Sequence, residues 1–119
     1  MEHISGIGGY FLRATDPSAL GAWYRDRLGL AFDHTGMWRQ DAGPTVFGFF
    51  ASDTDYFGSR TQQTMLNLRV DDLGAVVERL RREGVTISSP PEVMPGVGVF
   101  ASIVDPEGNR IELWEPERD

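Results

Sequence analysis

The chain has 119 residues, with 18 acidic and 11 basic side chains, a formal net charge of −7, two His and no Cys. That length suits one domain, and 40% hydrophobic with 24% charged residues is ordinary globular composition, which excludes a disordered tail, a collagen-like fibre and a disulfide scaffold. Every basic residue is Arg, so lysine Schiff bases and Walker-type phosphate loops are excluded, and the negative balance argues against nucleic acid as a partner.

The elements follow in chain order. The start, Met1 to Gly6, has neither a basic leader nor an apolar core, and no apolar run approaches the ~20 residues of a membrane span. The expected location is therefore the cytoplasm, with no membrane contact. Ile7–Ala14 reads as a strand. Its Gly6-Ile7-Gly8-Gly9 start precedes a strand and not a helix, so it is no dinucleotide loop. Asp16 is placed to cap a helix that begins at Pro17, because its carboxylate can accept orphan amide hydrogens of the first turn and Pro needs no amide partner there. Leu20, Trp23, Tyr24 and Leu28 recur at helical steps, and Gly29 ends the run. Ala31–His34, Met37–Gln40 and Thr45–Ala51 read as three further strands separated by turn signals. Ser52–Gln63, poor in aliphatic residues, reads as a connection.

The same order then repeats. Shifted by 56 positions, Leu12, Arg13, Asp16 and Ala19 fall on Leu68, Arg69, Asp72 and Ala75. Met65–Val70 is the second copy's first strand, and Asp72 caps a helix carrying Leu73, Val76, Val77 and Leu80 up to Gly84. Thr86–Ser88, Val97–Val104 and Arg110–Glu115 complete it. The expectation is one α+β domain of two tandem βαβββ modules, with module one at residues 4–51, the connection at 52–63 and module two at 64–117. A module of about 55 residues buries too little surface to stand alone, so the two should pack together.

This pattern resembles the vicinal oxygen chelate superfamily, the glyoxalase/bleomycin resistance/dioxygenase-like proteins. The resemblance covers roughly residues 4–117 and is carried by Asp16-Pro17, Ala22-Trp23-Tyr24, Leu28-Gly29-Leu30, Val70-Asp71-Asp72-Leu73 and Glu83-Gly84-Val85. The most specific stretch is Asp105-Pro106-Glu107-Gly108-Asn109-Arg110-Ile111-Glu112-Leu113-Trp114. The resemblance implies curved mixed sheets around a cavity, which in many members holds a divalent metal chelated by substrate oxygens. It also implies a homodimer.

Metal-using relatives take His, Glu or Gln from the first and last strand of each module. Carried over by the motifs, those positions are Gly9, Gly48, Met65 and Glu112. One carboxylate among four positions is too little for a catalytic divalent site, which commonly uses about three protein ligands. Shifting the register by two residues reaches Ile7, Phe11, Gln63 or Asn67 and recovers no His or carboxylate. The expectation is a cavity with no metal and no cofactor. His3 and His34 lie near the terminus and a turn, where a solvated side chain is the ordinary outcome.

Glu112 is the candidate catalytic residue. A carboxylate in an apolar cavity is disposed to act as a general base, and the competing expectation is that Arg13 or Arg69 neutralises it. Gly9 and Gly48 would widen the cavity, Met65 would fill it flexibly and Asn67, on the same strand face, would orient a polar ligand group. Phe49, Trp38 and Trp114 are candidate walls for a flat ligand, while Trp23 and Tyr24 are expected to pack as core. Three classes follow: a metal-free binder of a small organic molecule, such as a drug-sequestering protein; a lyase or isomerase on a small carbonyl or epoxide compound, with Glu112 as base or metal ligand; and a protein with a closed cavity and an interaction role.

Overall fold

Two aspartates start the two helices in the same way. Asp16 accepts from the Ala19 amide at 3.1 Å and opens α1, Pro17–Arg27. Asp72 accepts from the Ala75 amide at 3.1 Å and opens α2, Leu73–Arg82. Each bond satisfies one of the amide donors that a first helical turn leaves free. Just past the helices, Gly29 and Gly84 take φ of 72° and 83°, a conformation that costs glycine nothing and lets the chain turn away.

The computed structural model describes residues 2–118. Around α2 the chain forms β1 (Leu66–Arg69), β2 (Thr86–Met94), β3 (Gly98–Val104) and β4 (Arg110–Pro116), in sheet order β1-β4-β3-β2. β1 runs parallel to β4, and the other two pairings are antiparallel, so the sheet is mixed. The second half is thus a complete βαβββ unit. β2 is longer than expected and runs through Pro90 and Pro91. It can do so because it is an edge strand, where a missing amide hydrogen is tolerated, and its ladder with β3 shifts register on both sides of Ser89.

The sheet has two unlike faces. Leu66, Ile111, Ile103 and Ile87 form one cross-strand row, and Leu68, Leu113 and Ala101 the next. These rows meet Leu73, Val77 and Leu80 of α2 and Leu20 and Tyr24 of α1 in a single core. Ile103 and Leu80 are completely buried. Tyr24 packs as the sequence suggested and also donates its hydroxyl to Asp105 at 2.7 Å. Burial and that carboxylate push its phenol well above the usual tyrosine range.

The first half differs from expectation. Among the described residues, none of the runs 7–14, 31–34, 37–40 and 45–51 forms a strand. These segments have strand-like composition but no ladder partner. A strand exists only through hydrogen bonds to a neighbour, whereas a helix makes its own. Ala14 and Phe32 still pack against the core, but other apolar side chains stay in solvent, with Phe11 93%, Phe49 87% and Phe47 72% exposed. The first half is instead tied down through α1 and its flanks. Glu107 accepts from the Thr15 and Asp16 amides at 2.6 and 3.0 Å, and Arg79 links the Arg27 carbonyl at 2.9 Å to Glu83 at 3.1 Å.

Candidate functional site

Strand alternation puts Glu112 on the sheet face away from α2, because its neighbours Ile111 and Leu113 face the core. The ladder then fixes its row. Asn67, Glu112, Ser102 and Ser89 lie side by side across β1, β4, β3 and β2. Arg69, Trp114, Phe100 and Glu92 form the adjacent row. The open face therefore carries a polar row beside an aromatic one.

Glu112 is half-buried, and both of its oxygens are engaged. Asn67 Nδ2 donates to Oε1 at 2.6 Å, and the Tyr56 hydroxyl donates to Oε2. Tyr56 comes from the connection between the halves. Its ring stacks on Phe50 at 5.5 Å between centroids with an interplanar angle of 5°, and the Arg110 guanidinium lies 5.7 Å from its centroid. Partial burial, and the Glu112 carboxylate that accepts its proton, push the Tyr56 phenol up to about 12. At neutral pH it is a hydrogen-bond donor.

Arg110 does not pair with a carboxylate among the described residues. Its Nε and Nη2 donate to Ser102 Oγ at 3.2 and 3.1 Å, and Nη2 also reaches Ser89 Oγ at 2.8 Å. Next along the face, Trp114 stacks on Phe100 with centroids 5.9 Å apart, and its indole nitrogen donates to the Val97 carbonyl at 3.1 Å. That bond fixes the indole plane. A cavity of about 750 Å³ is lined by Asn67, Arg69, Trp114 and Trp38 together with Val76 and Arg79 of α2, so it reaches from this face round to the helix, and Glu112 does not line it.

The sequence candidates thus divide. Glu112 and Asn67 are joined directly, while Trp114 and Trp38 share a cavity with Asn67. Met65 is half-buried just ahead of β1, and Gly9, Gly48 and Phe49 lie on exposed irregular segments of the first half. The expected counter-ions are corrected. Arg69 donates to the Asp41 carbonyl at 2.9 Å, packed so closely over Gly43 that a Cβ there would fall on the guanidinium. Arg13 lines a separate cavity of about 280 Å³. Glu112's partners are neutral donors, and the surroundings expected to be apolar are polar. Tyr56, Arg110, Ser102 and Ser89 escaped the sequence reading. Alternation from Glu112 would have found Arg110, but nothing local marks Tyr56 as its partner.

The donor set does not suit a divalent metal. Among the described residues, no three His, Cys, Asp or Glu side chains gather closely enough to hold an ion. The oxygens of Glu112 face an amide and a phenol instead of further anionic or imidazole ligands.

The profile of the glyoxalase-like domain matches residues 10–114. The chain belongs to the glyoxalase-like family. It is thereby a member of the vicinal oxygen chelate superfamily, as its motifs implied. No curated protein matches it. Among solved structures it is similar to TnmS3, an antibiotic binding protein from Streptomyces, with 24% identity, a TM-score of 0.65 and coverage of 98% of this chain and 100% of the other. It is also similar to a glyoxalase/bleomycin resistance protein/dioxygenase superfamily member from Sphaerobacter thermophilus, with 20% identity, a TM-score of 0.63 and coverage of 94% and 98%. A lactoylglutathione lyase from Agrobacterium tumefaciens matches at 21% identity and a TM-score of 0.61, with 96% of each chain covered. At these identities the likeness shows the fold, which is the small α+β fold of this superfamily. Reactions vary widely on one fold, so function rests on the site.

Proposed function

We propose that this glyoxalase-like protein binds a small, flat organic molecule on the open sheet face around Glu112, without a metal. The observation that carries the reading is that Glu112 has two neutral hydrogen-bond donors and no companion ligands, next to the fixed aromatic ring of Trp114. Glu112 and Asn67 would then supply polar contacts, and Trp114 and Trp38 the walls of the adjoining cavity. The fold likeness to an antibiotic binding protein supports the same class of ligand. A carboxylate already held by two donors suits anchoring better than proton abstraction from a substrate carbon, which favours binding over a lyase or isomerase role.

The reading includes a cytoplasmic homodimer. Among the described residues no helix is long and apolar enough to cross a membrane. Ile7, Phe11, Val46, Phe47 and Phe49 leave a large apolar area in solvent on segments whose backbone lacks ladder partners. Monomeric proteins rarely expose such patches, and a second copy would supply both the cover and the missing strand pairing. In that dimer Gly9, Gly48 and Phe49 are the residues through which the first half would join the site, beside Met65 of the second half. Light scattering should give twice the monomer mass, and Phe47→Ser with Phe49→Ser should give a monomer; a monomeric wild type would refute this part.

The binding reading is tested by following tryptophan fluorescence of chelator-treated protein against a panel of flat aromatic compounds. Saturable quenching that is reduced in Glu112→Ala is expected. Binding that appears only after nickel, cobalt, zinc or manganese is added would overturn the metal-free reading.

A further inference from the structure

The segment carrying Tyr56 is weakly tied to the rest of the molecule. Its own backbone bonds are local turns, Thr54 N to Ala51 O and Gly58 N to Asp55 O, each at 3.0 Å. Gln62 anchors its far end by clasping the Arg110 backbone, donating to the carbonyl at 2.9 Å and accepting from the amide at 2.8 Å. Upstream of Gln62, among the described residues of 52–61, the hydrogen bond from Tyr56 to Glu112 is the one that reaches the sheet. Tyr56 is 38% exposed, and apart from that bond its ring lies against Phe50 and the Arg110 guanidinium.

Chemically, Tyr56 is a phenol resting in a site complete for a phenol. A carboxylate oxygen accepts its O–H, Asn67 holds the other oxygen in place, Phe50 stacks on the ring and a guanidinium lies nearby. None of these groups distinguishes a tyrosine side chain from a free hydroxylated aromatic ring. An ether or a plain hydrocarbon cannot replace it, because the carboxylate accepts only from a donor. Glu112 supplies a charge-assisted bond, the stronger kind, and the tethered Tyr56 competes for it at high effective concentration.

We infer that the Glu112 face selects flat ligands bearing a phenolic or enolic hydroxyl, and that Tyr56 is a built-in competitor on a latch, which such a ligand displaces. This rests on the binding function proposed above and adds the ligand's chemical class and the gate. In the closed form the latch shields Glu112 with a group of the protein's own. In the open form the ligand's hydroxyl takes the same oxygen, and segment 52–59 turns away about the Gln62 clasp.

Paired probes test this: 2-naphthol, which has the hydroxyl, and 2-methoxynaphthalene, which has the same rings without the donor. Tyr56→Phe keeps the stacking ring and removes the competing hydroxyl. It should bind 2-naphthol about tenfold more tightly than wild type does, the size expected for removing one competing bond to a charged group, while 2-methoxynaphthalene binds both proteins equally. In wild type labelled at the tyrosine Cζ carbon, the Tyr56 resonance should move when 2-naphthol saturates the site and stay with 2-methoxynaphthalene. Weaker or unchanged binding of 2-naphthol by Tyr56→Phe would overturn the latch and make Tyr56 a fixed wall. If both probes bind both proteins with one affinity, the hydroxyl selectivity fails while the binding function stands. If neither probe nor any other flat compound binds saturably, both fail.

Discussion

The two halves of this chain carry the same local signals and end in different structures. Each has an Asp cap, a helix and a glycine stop, and both helices form with matching 3.1 Å capping bonds. Among the described residues, only the second half assembles strands into a sheet. The difference separates what is local in folding from what is not. A cap and an amphipathic face act within a few residues, whereas a strand needs a neighbour at the right register. β1 finds β4, more than 40 residues away, because both present apolar side chains to α2. In the first half Phe32 packs against the core, but Phe11, Phe47 and Phe49 are left in solvent.

That contrast can be broken most forcefully in the core. Leu80 of α2 and Leu20 of α1 belong to one cluster, so Leu80→Ala and Leu20→Ala should each cost about 3 kcal/mol in a single urea transition. Two separate transitions, or a negligible effect of Leu20→Ala, would mean that the halves fold independently. Smaller effects are expected at the polar tie between them. Asp105 accepts from the Tyr24 hydroxyl and from three groups of its own turn, so Asp105→Ala should cost about 2 kcal/mol. Tyr24→Phe should cost less, since only one of those bonds is lost; equal losses would show that the turn itself contributes little.

The second tie is sensitive to pH. The Asp16 and Thr15 amides hold the Glu107 carboxyl below the usual glutamate range. A group whose pKa falls on folding stabilises the folded state above its unfolded value and loses that contribution as pH drops through the folded one. Melting temperatures of wild type and Glu107→Gln should therefore differ near neutral pH, and the difference should shrink only as pH falls below the ordinary glutamate range and through the lowered folded-state value. Parallel curves would show that the carboxylate does not hold the first half. Smallest of all, Phe49→Ser should shift unfolding of dilute monomer by less than about 0.5 kcal/mol, because the ring is already in solvent.

How far the sequence could be read follows the same division. The helix starts at Asp16 and Asp72, the buried Leu73, Val77 and Leu80, and the outward-facing Glu112 were all legible, because capping and periodicity are written in adjacent residues. Asn67 was legible as a neighbour of the site through alternation and the repeat. Tyr56 was not, since its meeting with Glu112 depends on the path of an irregular connection. Arg69 was placed on the correct strand, but the carboxylate weighed as its partner gives way to the Asp41 carbonyl, which comes from another irregular segment.

The decisive experiment titrates chelator-treated wild type and Glu112→Ala with 2-naphthol. Wild type should bind saturably without metal and unchanged when nickel, cobalt, zinc or manganese is restored, and the variant at least tenfold more weakly. Binding that requires the restored metal, or that is indifferent to the loss of Glu112, would contradict metal-free binding at Glu112.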